Sequence, residues 1–309
     1  MSNRTRQGFG RFAWFILIYT VLVIMWGSYV RATGSGAGCG DHWPLCNGEV
    51  VPRAASLERM IEFSHRITSG LSLVFVALLF FWSRSLYKSG DAIRSAAAWS
   101  LVFIIGEALV GAALVLLKLV AGNDSVLRAV VIAAHLVNTF LLLYCLSRVA
   151  YLTSPLAKSK KLVTGRLRVN FLWCLIGFVL TGSAGAIVAL GDTLFPARSL
   201  AEGFAEDFSP TAHFLIKLRM WHPLLAVAVG SYILIQCLVL PRLFKGQVNK
   251  RWAGVVAGLV ILQLAGGFLN WYLLAPVGMQ MFHLMLADVT WVALCFWYFS
   301  AAELEKDHT

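Results

Sequence analysis

Eight runs of about twenty apolar residues, each long enough to span a bilayer as a helix, decide what this chain can become. They fall near residues 12–30, 60–82, 96–117, 127–150, 169–190, 214–239, 252–274 and 279–301. A backbone inside hydrocarbon has no water to satisfy its N–H and C=O groups, so it crosses as a helix or as a closed barrel. The runs are continuous and lack the period-two alternation of barrel strands, which leaves helices. Composition agrees. Of 309 residues, 59% are hydrophobic and 13% charged, against about 25% charged in soluble domains. The fold class expected is an all-α integral membrane protein with eight transmembrane helices.

The net charge of +11 does not mark a nucleic-acid binder, because the basic residues sit in short loops between the runs rather than on one face. They also orient the chain. With the N-terminus cytoplasmic, that side collects Arg4, Arg6, Arg11, Arg84, Lys88, Arg94, Arg148, Lys158, Lys160, Lys161, Arg166, Arg168, Arg242, Lys245, Lys250, Arg251 and Lys306, seventeen of the 26 Lys and Arg. Both termini are then inside. Gly36-Ala-Gly-Cys39 faintly echoes a lipoprotein cleavage box, but Gly36 stands where a large aliphatic residue belongs and the apolar run ends upstream at Val30. The first run therefore reads as a retained span, and with no transit-type segment before it the expected address is a bacterial cytoplasmic (inner) membrane.

The chain repeats itself. Thr33-Gly-Ser-Gly matches Thr181-Gly-Ser-Ala at an offset of 148, His135-Leu matches His283-Leu at 148, Gly111 matches Gly267 at 156, and His65 matches His222 at 157. Two copies of a four-helix unit account for this: residues 1–155 and 156–309, two pseudo-symmetric bundles of like orientation.

Histidine carries the chemistry. His65, His135, His222 and His283 lie in apolar runs two, four, six and eight, all near the outer ends, and ionisable groups in membrane spans default to function. Two imidazoles facing each other across a helix bundle suit the axial positions of haem iron, one haem per half. Zinc or copper asks for more Cys, His or carboxylate ligands than the second half offers. The bland reading is four unrelated histidines bonded to neighbouring helices. His42, His213 and His308 are loop or tail residues and are assigned nothing.

The halves then differ. Glu62 lies three residues before His65, on the same helix face, where it could carry a proton or stabilise a cation; its counterpart before His222 is Arg219. The plain alternative is a helix-start acid favoured by the helix dipole. Cys39 and Cys46, in the outer loop 31–58 with Trp43 and Pro44, also have no second copy. They read as a structural staple or as an exchangeable redox pair, with a metal site including His42 ranked last. Cys145, Cys174, Cys237 and Cys295 read as small core residues. Glu107 and Asp288 sit deeper; hydrogen bonding to a neighbouring helix is preferred over a proton path for both. Arg31, Arg66, Lys118, Arg128, Lys217 and Arg219, at the outer edge, are candidates for haem propionates. Gly106, Gly111, Gly266 and Gly267 would let a backbone or a porphyrin come close.

Gly34-Ser-Gly-Ala-Gly-Cys39, Trp43-Pro-Leu-Cys46 and Glu62-x-x-His65-Arg66 together resemble the signature of haem A synthase, the Cox15/CtaA family, and the resemblance extends over nearly the whole chain. It implies an oxidoreductase that converts haem O to haem A by successive hydroxylation of a porphyrin methyl group to a formyl group. It further implies that His65 and His135 are axial ligands of the substrate haem O, that Glu62 is the catalytic carboxylate, that His222 and His283 hold haem b, and that Cys39–Cys46 is a disulfide. Haem O synthase, cytochrome oxidase assembly factors, membrane lipid, an electron acceptor and a second copy of the chain are the partners this reading admits. Some family members carry a second cysteine pair between helices 5 and 6; residues 191–213 here contain no cysteine. A dihaem b-type cytochrome for electron transfer is the alternative, which leaves Glu62 and the cysteines unexplained. A haem carrier and a cofactor-free transporter rank below it.

Overall fold

The computed structural model describes residues 3–53, 56–157, 163 and 165–301. Lys158, Lys160, Lys161, Lys306 and His308, all named above, lie outside the described residues. Among those described, eight helical stretches are long and apolar enough to cross a membrane, and no strand forms beyond an isolated bridge between Cys46 and Glu49. In chain order the helices are α1 (Asn3–Ala32), α2 (Leu57–Leu86), α3 (Ala92–Leu116), α4 (Val126–Leu152), α5 (Gly165–Leu194), α6 (Leu200–Asp207), α7 (Phe214–Lys217), α8 (Trp221–Leu243), α9 (Lys250–Tyr272) and α10 (Val277–Ser300). This is an all-α multi-pass membrane protein.

Helices begin where the sequence supplies caps. Ser56, Asp91, Ser125 and Asn249 each accept a hydrogen bond from a backbone N–H two or three residues on, satisfying donors that a first turn leaves free. The sixth span is not one helix: α7 passes through a 3-10 turn, Leu218–Met220, into α8. Pro223 explains the break, since it has no N–H for the carbonyl one turn back and its ring crowds that carbonyl. Residues 191–213, between the fifth and sixth apolar runs, contain α6. Ser199 accepts from the N–H of Glu202, and the Glu202 carboxylate accepts from the N–H of Arg198, close to a capping box.

The two halves share one neighbour scheme. α1 packs on α2, α2 on α3, α3 on α4 and α4 on α1; in the second half α5 packs on α8, α8 on α9, α9 on α10 and α10 on α5. Contacts of α4 with α5, α1 with α10 and α4 with α10 join them. α10 and α4 are the most buried spans, and Trp291 of α10 donates its indole N–H to the Phe140 carbonyl of α4 at 2.9 Å while its ring packs on Phe140 and Phe178. The outer surface exposes Phe15, Leu22, Leu78, Phe81, Trp173 and Leu238, which suits lipid rather than water.

One repeat match does not survive. Thr33 ends α1 and begins a loop, whereas Thr181 lies in the middle of α5, so a 148-residue offset pairs unlike places. The structural equivalents are Gly27 and Gly185, each against a histidine, which puts α1 and α5 at an offset of 158. That falls in line with 157 and 156 for the next two helix pairs. A four-residue fragment of small polar residues matched by composition alone.

Candidate functional site

A cavity of about 1150 Å³ runs through both halves at the end of the bundle that carries Cys39 and Cys46. His65, His135, His222 and His283 all line it, as do Glu62, Arg66, Glu107 and Gln263. The spacing of Glu62, His65, Arg66 and Ser69 puts them on one face of α2, and all four face the cavity.

Glu62 is 3% exposed and lies in the second turn of α2. Its carboxylate accepts from the Cys39 N–H at 2.8 Å and from Arg66 Nε at 3.1 Å, and forms an ion pair with Arg66. Arg66 also donates to the carbonyls of His42 and Leu45. The cysteine loop is thus tied to α2 through the same two side chains that sit beside His65. Cys39 and Cys46 form a disulfide and are buried, and Trp43 and the cis-linked Pro44 reach the cavity wall. Gly38 lies so close to the first turn of α2 that a Cβ there would meet the Glu58 carbonyl at 2.7 Å; no other residue lets the loop lie that low.

Glycines make room for the imidazoles. A Cβ on Gly27 would fall 2.8 Å from His65, one on Gly185 2.9 Å from His222, and one on Gly267 2.9 Å from His283. Gly111, the counterpart of Gly267, faces open space. His222 and His283 stand with ring centres 6.5 Å apart and planes at 80°; among the described residues His283 Nδ1 is buried without a hydrogen-bond partner, while the Thr181 backbone lies against the His222 ring. Gln263 Nε2 lies 3.3 Å from His283 Nε2.

His135 is placed differently. Its Nδ1 lies 2.9 Å from Glu107 Oε2, with the ring turned off the ideal hydrogen-bond line. The other Glu107 oxygen accepts from Asn138 Nδ2 at 2.7 Å and from Thr139 Oγ1 at 3.0 Å. Glu107 therefore does bond to a neighbouring helix, as expected, and also touches a candidate ligand. Asp288 does not follow that expectation: it is fully buried and neither carboxyl oxygen has a partner among the described residues.

Of the six basic candidates, Arg31, Arg66, Arg128 and Arg219 line the cavity; Lys118 and Lys217 do not. Lys118 pairs with Asp41 at 2.7 Å, whose charge and hydrogen bond raise the lysine pKa, and Lys217 donates to the Pro210 carbonyl. Position on the outer edge did not separate side chains that point inward from those that serve loops. Arg31 donates to Ala189 O, Thr193 Oγ1 and Gln280 Oε1, bridging the halves. Arg219, the counterpart of Glu62, pairs with Asp192 at 3.1 Å and lies 3.9 Å from Glu206 and Asp207. Burial holds the Asp207 carboxyl above the usual carboxylate range, with Arg219 offsetting only part of the rise. His213 caps α7 and lies 3.5 Å from Asp124, away from the cavity wall. The four remaining cysteines are buried in the helices, as read. No group of three or more His, Cys, Asp or Glu poised to hold a metal ion occurs among the described residues.

With this geometry in place, comparison with known proteins is informative. Residues 10–295 match the model of a family described as cytochrome oxidase assembly protein, COX15-CtaA. The chain belongs to the COX15-CtaA family. Within reach of that family, proteins from two strains of Thermus thermophilus named protoheme IX farnesyltransferase are 43% identical over 292 residues, 94% of this chain and 48% of theirs. This chain spans about half the length of those relatives. A heme A synthase from Bacillus cereus is 29% identical over 284 residues, 89% of this chain and 88% of its own, and one from Bacillus mycoides is 28% identical over the same length.

The sequence pointed to the histidines, Glu62 and the cysteine pair. It missed Asn138, Thr139 and Gln263, whose signal was polar residues facing the bundle interior within otherwise apolar spans.

Proposed function

We propose that this chain is a haem A synthase-like oxidoreductase that takes haem O to haem A through successive hydroxylation of one porphyrin methyl group to a formyl group. The observation that carries the reading is two histidine pairs around one intramembrane cavity, with a buried carboxylate, Glu62, beside one pair and an arginine in its place beside the other. The donor set fits haem. An iron bonded to two imidazoles at about 2 Å each separates the ring centres by about 6 Å, close to the 6.5 Å between His222 and His283. The orphaned Nδ1 of His283 is the kind of buried polar atom that a bound group satisfies.

In this reading His222 and His283 hold haem b in the second half, residues 156–309, and His65 and His135 hold the substrate haem in the first, residues 1–155. When bound, the haem groups supply the redox chemistry, passing electrons and oxidising the methyl carbon. The protein supplies place and protons. Cys39 N–H and Arg66 fix the Glu62 carboxylate, so it meets the substrate at a set position and takes up a proton as charge develops there. Arg31, Arg128 and Arg219 offer guanidinium groups to propionates at the cavity wall. The Cys39–Cys46 loop covers the first-half site and limits water.

The Thermus relatives support the place of this reaction. In them a segment matching 94% of this chain makes up 48% of a protein named for transferring a farnesyl group to protohaem. A farnesylated haem is the substrate this reading needs, and its apolar tail explains a site built within lipid. The same reading puts the chain in a bacterial cytoplasmic membrane with both termini inside.

The test is to express the chain with a haem O-producing enzyme, purify it, and identify extracted haems by chromatography and mass spectrometry. Wild type should yield haem A or its hydroxylated precursor. Glu62→Gln should keep both haem sites filled and lose product by about 100-fold or more, the usual scale for a removed acid–base group. Two haem b per chain, unchanged in the variant and with no oxidised product, would instead establish the electron-transfer cytochrome.

A further inference from the structure

The repeat makes each half a control for the other, and one difference bears directly on a candidate iron ligand. With α3 and α9 at an offset of 156 and α4 and α10 at 148, Glu107 corresponds to Gln263 and His135 to His283. The structure supports this register independently, because each of the two residues reaches the histidine of its own half: Glu107 Oε2 is 2.9 Å from His135 Nδ1, and Gln263 Nε2 is 3.3 Å from His283 Nε2. A carboxylate serves one histidine and an amide the other.

The carboxylate is held by parts found in the first half alone. Asn138 Nδ2 donates to Glu107 Oε1 at 2.7 Å and to the Phe103 carbonyl at 2.8 Å, and Thr139 Oγ1 donates to the same Glu107 oxygen at 3.0 Å. Their counterparts are Leu286 and Ala287, which have no such groups. Asn138 fits because Gly106 faces it; a Cβ there would lie 2.8 Å from its Oδ1, and the counterpart of Gly106 is Leu262. Four positions on two helices therefore change together, from Gly, Glu, Asn and Thr to Leu, Gln, Leu and Ala. Two donors occupy one Glu107 oxygen and leave the other aimed at His135.

We propose that Glu107 is a positioning residue that sets the two iron sites apart in reduction potential. This rests on the reading of the histidines as two axial pairs. The Glu107 carboxylate, 2.9 Å from His135 Nδ1, is placed to take the hydrogen bond of its N–H, which fixes the ring tautomer and presents Nε2 to the iron. A ligand imidazole bonded to a carboxylate is more basic. Together with the nearby negative charge it stabilises ferric over ferrous iron, and the first-half site has the lower potential. Gln263 stands against His283 Nε2, which leaves the unpartnered Nδ1 for the iron, and it carries no charge, so the second-half site lacks this bias. The carboxylate next to the substrate pair thus serves a different end from Glu62, which sits beside His65 and under the cysteine loop.

The experiment is a spectroscopic redox titration of the purified, haem-bearing protein and of Glu107→Gln and Gln263→Glu, each variant giving one half the residue of the other. In Glu107→Gln one midpoint should rise by about 59 mV, a tenfold change in the ferric-to-ferrous ratio of a one-electron couple, while the other stays in place. In Gln263→Glu the midpoint that did not move in the first variant should fall. Should Glu107→Gln lose its first-half haem, the fall in Gln263→Glu alone decides. Two haems with both midpoints unmoved in either variant would overturn the proposal and leave the synthase reading intact. A wild-type preparation that binds no haem would overturn the parent reading and this one with it.

Discussion

At three of the four intramembrane histidines, the residue across from the ring is a glycine, and the absent side chain is what seats the imidazole. The distances of 2.8 to 2.9 Å from a would-be Cβ to the ring are too short for any real Cβ contact, and a helix backbone cannot move away cheaply in a packed bundle. Gly185→Ala should therefore displace His222 at an overpacking cost of about 1–3 kcal/mol and empty the second-half site while sparing the first. Reduced-minus-oxidised spectra per mole of chain would show it as loss of about half the haem. A full haem complement in Gly185→Ala would mean that His222 binds from another position. These glycines also show why residue-level reading of the sequence stopped where it did. Histidine in an apolar span is conspicuous, whereas a glycine in a transmembrane helix is ordinary until the facing ring is known. Gly111 was singled out by its repeat and faces open space; Gly27 and Gly185 were passed over and hold the contacts.

At the scale of the element, α2 and the cysteine loop act as one piece, and two kinds of bond hold it. Closing a short loop with a disulfide removes roughly 2–3 kcal/mol of chain entropy from the unfolded state. Arg66 does more, since it neutralises buried Glu62 and ties two loop carbonyls to α2. Removing one partner of a buried ion pair costs about 3–5 kcal/mol, because the other charge is left unmatched. Thermal unfolding in detergent should rank Arg66→Leu below Cys39→Ser/Cys46→Ser, which in turn falls below wild type. The opposite order would mean that the disulfide, not the arginine, anchors the loop. The sequence motif Glu62-x-x-His65-Arg66 announced this element because its residues are close along one helix. The Glu107 network was hidden by contrast. Its partners are 31 and 32 residues away on another helix, and their meeting depends on the relative rotation of α3 and α4, which periodicity does not specify. α6 was hidden for another reason: Ser199-x-x-Glu202 is a start signal, but a helix of eight residues between Pro196 and Pro210 is too short to stand out beside the long apolar spans.

At the scale of the whole molecule, eight spans put both ends of the described chain on one side of the bilayer. Apolar length alone fixes the number of crossings, and the Lys and Arg bias of the short loops predicts their direction. That bias puts the loop after α8, with Lys245 in it, in the cytoplasm, and the loop carrying α6, with Thr211 after it, outside. The molecule is well suited to a direct check. Cys39 and Cys46 are bonded to each other, and Cys145, Cys174, Cys237 and Cys295 are buried, so the background for a thiol reagent is low. In intact cells a membrane-impermeant maleimide should label Thr211→Cys and leave Lys245→Cys untouched until the membrane is opened. The direction matters for chemistry as well as address. The predicted direction would place the mouth of the cavity, the disulfide and the arginines on the oxidising side of the membrane, where a Cys39–Cys46 bond persists. Labelling of Lys245→Cys before Thr211→Cys would reverse the molecule and expose that bond to the reducing cytoplasm.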